Sequence, residues 1–196
     1  MSVQRLVASE LMSLEQYARE RPAWRSRMIA HRRARQLSIG AHCSWSFEDR
    51  LTVQYQVQEM LRTERIFEPE GIEAELAAYN PLIPDGSNLK ATLLIEFADP
   101  EERAQQLVAL RGFERHCWLR VDGFERLYGI ADEDLARENE TKTSAVHFLR
   151  FEFSRAMIER LKAGAVLGAG VDLPAYTHSV DPLPAPLGAT LLADFD

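Results

Sequence analysis

Residues 22–65 read PAWRSRMIAHRRARQLSIGAHCSWSFEDRLTVQYQVQEMLRTER and carry the strongest structural signals of the chain. The stretch is rich in arginine, although the whole chain of 196 residues has a net charge of −7. Residues 37–47 alternate between an apolar and a polar face, and this period of two predicts a strand with one buried face. Residues 50–66 instead carry apolar side chains three and four positions apart, which predicts an amphipathic helix. We therefore expect a helix, a strand and a second helix in this order.

Local signals mark the ends of these and other elements. Ser13 and Gln16 have the spacing of a capping box, which predicts a helix over residues 14–35, with a break or kink near Arg21 because Pro22 follows. Asp49 is a suitable N-cap for the helix over residues 50–66, and Pro69 suits a helical first turn. Further helices are predicted over residues 69–79, 99–111 and 154–163, further strands over residues 89–97, 116–121, 124–130 and 143–153, a strand or loop over residues 165–173, and an exposed loop or short helix over residues 131–142.

This order of elements predicts an α+β fold. We expect a mostly antiparallel sheet of four to six strands, with the helices packed on one side. A chain of this length suits one well-buried domain over residues 1–196. Residues 1–13 are expected to be flexible, and residues 174–196 to form a Pro-rich tail that ends in a short apolar element.

Composition narrows the class of protein. Apolar residues make up 46% of the chain and charged residues 27%, which is typical of a soluble globular protein. No apolar run reaches the roughly 18–20 residues of a membrane span, and charges at Arg5, Glu10 and Glu15 argue against a signal peptide. The two cysteines form no disulfide framework. We therefore expect a cytoplasmic protein without a membrane partner.

The charge of the chain is unevenly distributed. Residues 1–65 contain 11 Lys and Arg against 7 Asp and Glu, whereas the remaining residues contain 12 against 23. We favour an intramolecular explanation, in which the arginine-rich segment docks on acidic elements of the same chain. The acidic pI of about 5.3 argues against binding to nucleic acid. The sequence also leaves open whether the protein forms a homodimer, because arginine and tryptophan are enriched at protein interfaces.

The helix over residues 50–66 offers a candidate binding site. Tyr55, Glu59 and Arg62 follow one another at spacings of four and three, so that their side chains form one ridge. The sequence leaves three interpretations of this ridge open: a solvated helix face, a closed polar network, or the lining of a ligand or partner groove. Guanidinium groups on the preceding helix match carboxylates and phosphates, which suggests an anionic ligand. The candidate ligand-binding residues are His31, Arg32, Arg35, Tyr55, Gln58, Glu59 and Arg62.

Two His-Cys pairs, at residues 42–43 and 116–117, suggest a metal or haem site as a weaker alternative. Neighbouring side chains of a strand point to opposite faces, so neither pair chelates one ion by itself. His42, His116 and His147 are therefore the metal candidates, and the cysteines are interpreted as packing residues. No catalytic motif is present, so catalytic residues, cofactor and enzymatic activity stay unassigned.

Four segments resemble a known bacterial family that is catalogued only as a domain of unknown function. They are RMIAHRRARQLSIG (27–40), FEDRLTVQYQVQEMLRTERI (47–66), ELAAYNPLIPDGSNLKATLLIEF (75–97) and GFERHCWLRVDG (112–123). Members of that family are often encoded beside a rubrerythrin and an iron–sulfur oxidoreductase of the heterodisulfide-reductase type. The resemblance implies an accessory or binding protein in an oxidative-stress redox system, with one of these two proteins as its partner. Because the chain lacks a cysteine set for an iron–sulfur cluster, we do not expect it to carry electrons through one.

Overall fold

The computed structural model describes residues 5–131 and 142–195. Within these ranges the helices are α1 (Leu14–Arg33), α2 (Arg50–Glu64), α3 (Pro69–Tyr79), α4 (Pro100–Ala109), α5 (Arg155–Lys162) and α6 (Ala185–Leu192). The strands are β1 (Gln36–Ser38), β2 (Cys43–Phe47), β3 (Asn88–Ile95), β4 (Cys117–Val121), β5 (Leu127–Tyr128), β6 (Val146–Glu152), β7 (Leu167–Leu173) and β8 (Tyr176–Val180). Most of the predicted loop or short helix over residues 131–142 lies outside the described residues.

The strands form two antiparallel sheets, each of four strands. The first sheet has the order β1-β2-β3-β6 and the second has the order β5-β4-β7-β8. The predicted α+β class with antiparallel pairing is confirmed, and the structure divides the strands between two sheets. An isolated bridge between Ile130 and Arg150 joins the sheets at one edge. At the other edge the Tyr176 hydroxyl donates to the Ile39 carbonyl oxygen at 2.7 Å, so the sheets meet on both sides.

Two apolar cores hold these elements together. The inward faces of both sheets share the larger core, in which Trp45 of β2 stacks on Phe151 of β6 with ring centroids 5.4 Å apart. The smaller core lies among the N-terminal segment, α2 and α3, and includes Leu6, Leu61 and Leu76. These helices therefore form a separate layer, which faces the outer, more polar side of the first sheet.

Three predicted elements differ from the structure, and one of them, the strand expected over residues 124–130, is reduced to Leu127–Tyr128. Of the break or kink expected near Arg21, the break is wrong, because α1 continues through Pro22. Pro22 cannot donate a hydrogen bond to the Ala18 carbonyl, and its ring crowds that oxygen, but both residues are exposed, so the helix can adjust there without disturbing the core. The single strand over residues 37–47 is a hairpin of β1 and β2, in which Leu37 pairs with Trp45.

The signals that act within a few residues are confirmed. The Ser13 hydroxyl accepts from the Gln16 amide at 3.2 Å, and the Asp49 carboxylate accepts from the Thr52 amide at 2.8 Å, so that both residues cap their helices. Helix α3 has the predicted bounds. The Pro-rich tail contains β8, which was not predicted, followed by α6. Among the described residues, no helix combines the length and apolarity that a membrane span requires.

Candidate functional site

The polar ridge of α2 makes its contacts with α1. The Glu59 carboxylate accepts hydrogen bonds from the Tyr17 hydroxyl at 2.5 Å and from two nitrogens of Arg21 at 2.7 and 2.8 Å. The hydrogen bonds from Arg21 are the main cause that holds the pKa of Glu59 below its usual value. Burial and the neighbouring carboxylate raise the pKa of Tyr17 well above its usual range. Of the three interpretations that the sequence left open, the closed polar network describes Glu59.

Three other predicted residues of α2 have different surroundings. Gln58 is buried, and its side chain accepts from the Met12 amide at 2.6 Å, which ties the N-terminal segment to the helix. Tyr55 is also buried, and the Arg32 guanidinium lies over its ring at 5.6 Å from the centroid. Arg62 is exposed. The predicted ridge is therefore divided between packing, α1 contacts and solvent.

His31 and Arg35 lie in a network that joins α1 to the start of α2 and to the C-terminus. His31 Nε2 donates to the Asp49 carboxylate at 2.6 Å, and Arg35 lies 3.5 Å from the same carboxylate. Arg35 is 3% exposed and also pairs with Asp194. Burial raises the pKa of Asp194, and the Arg35 guanidinium opposes that rise. This network has the form of a structural brace, because each of its charges faces an opposite one.

A groove opens between the helical layer and the outer side of the first sheet, and we call it the first-sheet groove. Its volume is about 250 Å³. The polar side chains that line it come from α1, β2, the β2–α2 connection, α2, α3 and β3, whereas Val53, Leu82, Leu94 and Phe148 supply apolar wall. These polar residues are Arg32, Ser46, Glu48, Gln56, Tyr79 and Thr92.

The two charged side chains in the first-sheet groove, Glu48 and Arg32, differ in the partners they have. Glu48 accepts from the hydroxyls of Thr52 at 2.5 Å and Thr92 at 2.6 Å, so both of its oxygens have a donor. Arg32 makes no ion pair within 4.0 Å to any residue that the structure describes, and its one recorded partner is the Tyr55 ring. The groove therefore presents one cation, Arg32, that makes no direct ion pair with any described carboxylate, Glu48 included.

The predicted metal candidates do not meet. His42 stacks on Phe97 at 4.1 Å, His116 Nδ1 donates to Asp172 at 3.1 Å, and His147 is buried beside Thr143, whose hydroxyl lies 2.9 Å from its Nε2. Over residues 5–131 and 142–195, no group of three or more His, Cys, Asp or Glu side chains has an arrangement that could hold a metal ion.

Both cysteines lie in the larger core. Cys43 and Cys117 are buried, and burial is the main cause that raises the pKa of both thiols, that of Cys43 to about 12. A buried, protonated thiol is neither a good nucleophile nor a good metal ligand. The interpretation of both residues as packing residues agrees with this environment.

Sequence reasoning found Arg32 but missed the other polar residues of the first-sheet groove. Ser46 and Thr92 face outward from neighbouring strands, and they oppose each other in the β2–β3 register. Alternation along each strand indicates that these side chains are outside the core. It does not indicate that α2 and α3 cover them, because that contact joins segments far apart in the chain.

Comparison with known proteins identifies relatives of the whole chain. The family described as "Protein of unknown function (DUF3501)" matches residues 5–195. A crystal structure of a "novel protein of unknown function" from Burkholderia pseudomallei K96243 is 48% identical, with a TM-score of 0.91, and the match covers 98% of this chain and 100% of that chain. No curated protein matches the chain.

Proposed function

The chain belongs to the DUF3501 family, and from that premise we propose that it is a binding protein whose first-sheet groove holds a small organic anion. The observation that carries the proposal is Arg32, whose guanidinium lines the groove without an ion-pair partner among the described residues. A guanidinium offers forked donors that match a carboxylate or phosphate. The volume of about 250 Å³ lies just below the roughly 300–1,000 Å³ of pockets for drug-sized ligands, so the ligand is of metabolite size.

Glu48 narrows the chemistry of this ligand. Its carboxylate lies in the same groove and retains acceptor capacity beyond the two hydroxyls that donate to it. An anion that also carries a hydroxyl or ammonium group would place its negative charge at Arg32 and its donor at Glu48. Hydroxy acids and amino acids have both groups. We therefore expect malate or glutamate to bind better than a simple carboxylate such as acetate.

Thermal unfolding in the presence of these compounds tests the proposal. A ligand that binds the folded state stabilises it by RT ln(1 + [L]/Kd), about 2.7 kcal/mol at a hundredfold excess over Kd. We expect malate or glutamate to raise the unfolding temperature of the wild type and of Arg33→Gln, a control on the exposed side of the same helix. Arg32→Gln should lose the rise. An equal rise in Arg32→Gln, or none in the wild type with any of these compounds, would contradict the proposal.

A second candidate function follows from the family resemblance. We propose that the protein is a cytoplasmic accessory protein of a rubrerythrin-linked oxidative-stress system, and that it binds rubrerythrin or the iron–sulfur oxidoreductase. The state of the thiols favours a binding role over an electron-carrying one, because Cys43 and Cys117 are buried with raised pKa values. Size-exclusion chromatography of the purified proteins should give a joint peak. Separate elution under both oxidising and reducing conditions would contradict this role.

A further inference from the structure

A second opening lies far along the chain from Arg32, between α6 and the turn that joins α5 to β7, and we call it the α6 cleft. Its volume is about 450 Å³, within the roughly 300–1,000 Å³ of pockets that hold drug-sized molecules. It shares no lining residue with the first-sheet groove. Its deeper wall consists of the buried core residues Leu161, Leu167, Leu183, Leu191 and Phe195.

The chemistry of the α6 cleft is uniform. Every side chain that lines it is apolar, and none of them carries a charge or a hydrogen-bonding group. The one aromatic ring, that of Phe195, is already packed edge-on against Phe153 with centroids 4.8 Å apart. Binding here therefore depends on removing hydrocarbon from water. This environment suits an aliphatic chain better than a polar molecule or a flat aromatic ring that needs a stacking partner.

The sequence of α6 keeps this space open. The helix places Leu187 and Leu191 in the core, and the side that faces the cleft also carries the small residues Ala185, Gly188 and Ala189. Apart from its chain neighbours and the adjacent backbone of α6, a Cβ atom added at Gly188 would meet no atom within 4 Å. Glycine is a poor helix former, so a larger residue at this position would both stabilise the helix and fill the cleft. The small side chain is thus required by neither packing nor backbone conformation.

From these observations we propose that the α6 cleft binds the aliphatic chain of a small amphiphile. The concave apolar wall supplies the affinity, and the polar head of the ligand stays in solvent at the mouth of the cleft. The source of the chain is a free fatty acid or the acyl group of a lipid, which share this chemistry. The site is independent of the first-sheet groove and of the anion that we propose for it.

Calorimetric titration with hexanoate, octanoate and decanoate tests the proposal. Because burial of each methylene contributes a constant increment, we expect the affinity to rise roughly fourfold per methylene, with one decanoate bound per chain. Gly188→Leu should abolish decanoate binding and keep the fold, and Ala77→Leu, which adds the same side chain on the exposed side of α3, should bind as the wild type does. Absence of binding, an affinity independent of chain length, or unchanged binding in Gly188→Leu would overturn the proposal.

Two further measurements keep the test independent of how the variant folds. In methyl NMR spectra of the wild type, decanoate should shift the Leu167 and Leu191 signals and leave Leu76 of the smaller core unchanged. Shifts spread equally over both cores would overturn the proposal. Sedimentation with phosphatidylcholine vesicles separates the sources of the chain, because a free-acid site leaves the protein in the supernatant and a lipid site carries it into the pellet.

Discussion

Replacing Arg35 by methionine tests how the helical layer is fixed to the first sheet. Arg35 lies two residues after the end of α1, and its side chain is 3% exposed. It donates to the backbone carbonyls of Phe47 at 3.0 Å and Glu48 at 3.1 Å and pairs with Asp49 and Asp194. Methionine keeps much of the apolar stem and removes the guanidinium. The variant therefore isolates the polar contribution of one side chain that joins four segments.

The expected loss in the free energy of unfolding follows from the buried groups that lose their partner in this variant. Removing one partner of a buried ion pair leaves an uncompensated charge, which costs about 3–5 kcal/mol. Each buried carbonyl that loses its donor costs about 1–3 kcal/mol, but both contributions arise from the same group and overlap. We therefore expect the free energy of unfolding to fall by about 4 kcal/mol. That is a large part of the roughly 5–15 kcal/mol that stabilises a folded domain.

Urea denaturation followed by tryptophan fluorescence measures this change, because Trp45 is fully buried. Arg33→Met is the matched control, since Arg33 is exposed at the end of α1 and such substitutions change stability by no more than about 0.5 kcal/mol. A loss below about 1 kcal/mol for Arg35→Met, the upper range of exposed ion pairs, would refute the reasoning. It would mean that the network contributes no more than surface charges do.

Three further predictions concern the α1–α2 network, the second sheet and the thiols. Hydrogen bonds from Arg21 lower the pKa of Glu59, so the stability that this carboxylate contributes is present above the unfolded pKa, near 4.3, and is lost as the pH falls through the folded value. Glu59→Gln should therefore lower stability at neutral pH and flatten the acid side of the plot of stability against pH. An unchanged plot would contradict this prediction. Gly170→Ala places a Cβ atom 2.4 Å from Trp118 and 2.8 Å from the His178 carbonyl oxygen and should lower stability by about 1–3 kcal/mol, measured by calorimetry, whereas a neutral effect would contradict this close packing. Burial raises the pKa of Cys43 to about 12, so Ellman's reagent at pH 8 should modify the native thiols only at the rate of unfolding, and rapid modification would refute their burial.

The parts of the fold that were predictable depend on interactions between close neighbours in the chain. Asp49 caps α2 through an amide three residues away, and Ser154 caps α5 through the Met157 amide in the same way. Gly112 has a positive φ of 73° at the predicted end of the helix over residues 99–111. Such signals are complete within one turn of helix, so the sequence alone is sufficient to identify them.

The parts that were not predictable depend on contacts between distant segments. The apolar alternation over residues 37–47 continues through the turn of the hairpin, so its period does not reveal that the chain reverses near Gly40, where φ is 71°. The middle of β8 consists of Thr177, His178 and Ser179, which are exposed and show no alternation. The division into two sheets depends on which strands pair, and pairs such as β3 with β6 and β4 with β7 join segments far apart in the chain.

The same distinction applies to the candidate site. The spacing on α2 identified Glu59 as part of a polar ridge, but its partners Tyr17 and Arg21 lie about forty residues earlier. The arginine-rich character of α1 identified Arg32, whereas Thr92 became part of the first-sheet groove only through the tertiary fold. Sequence chemistry thus selects residue types, and the fold decides which of them face one another.

The most direct test of the proposed anion site is an NMR titration of the arginine Nε–Hε signals. With malate or glutamate added to the wild type, we predict that the Arg32 signal shifts and saturates at one ligand per chain, while the Arg33 signal stays in place. A shift that grows linearly without saturation, or that is equal for both arginines, would contradict the claim that the first-sheet groove binds a small organic anion.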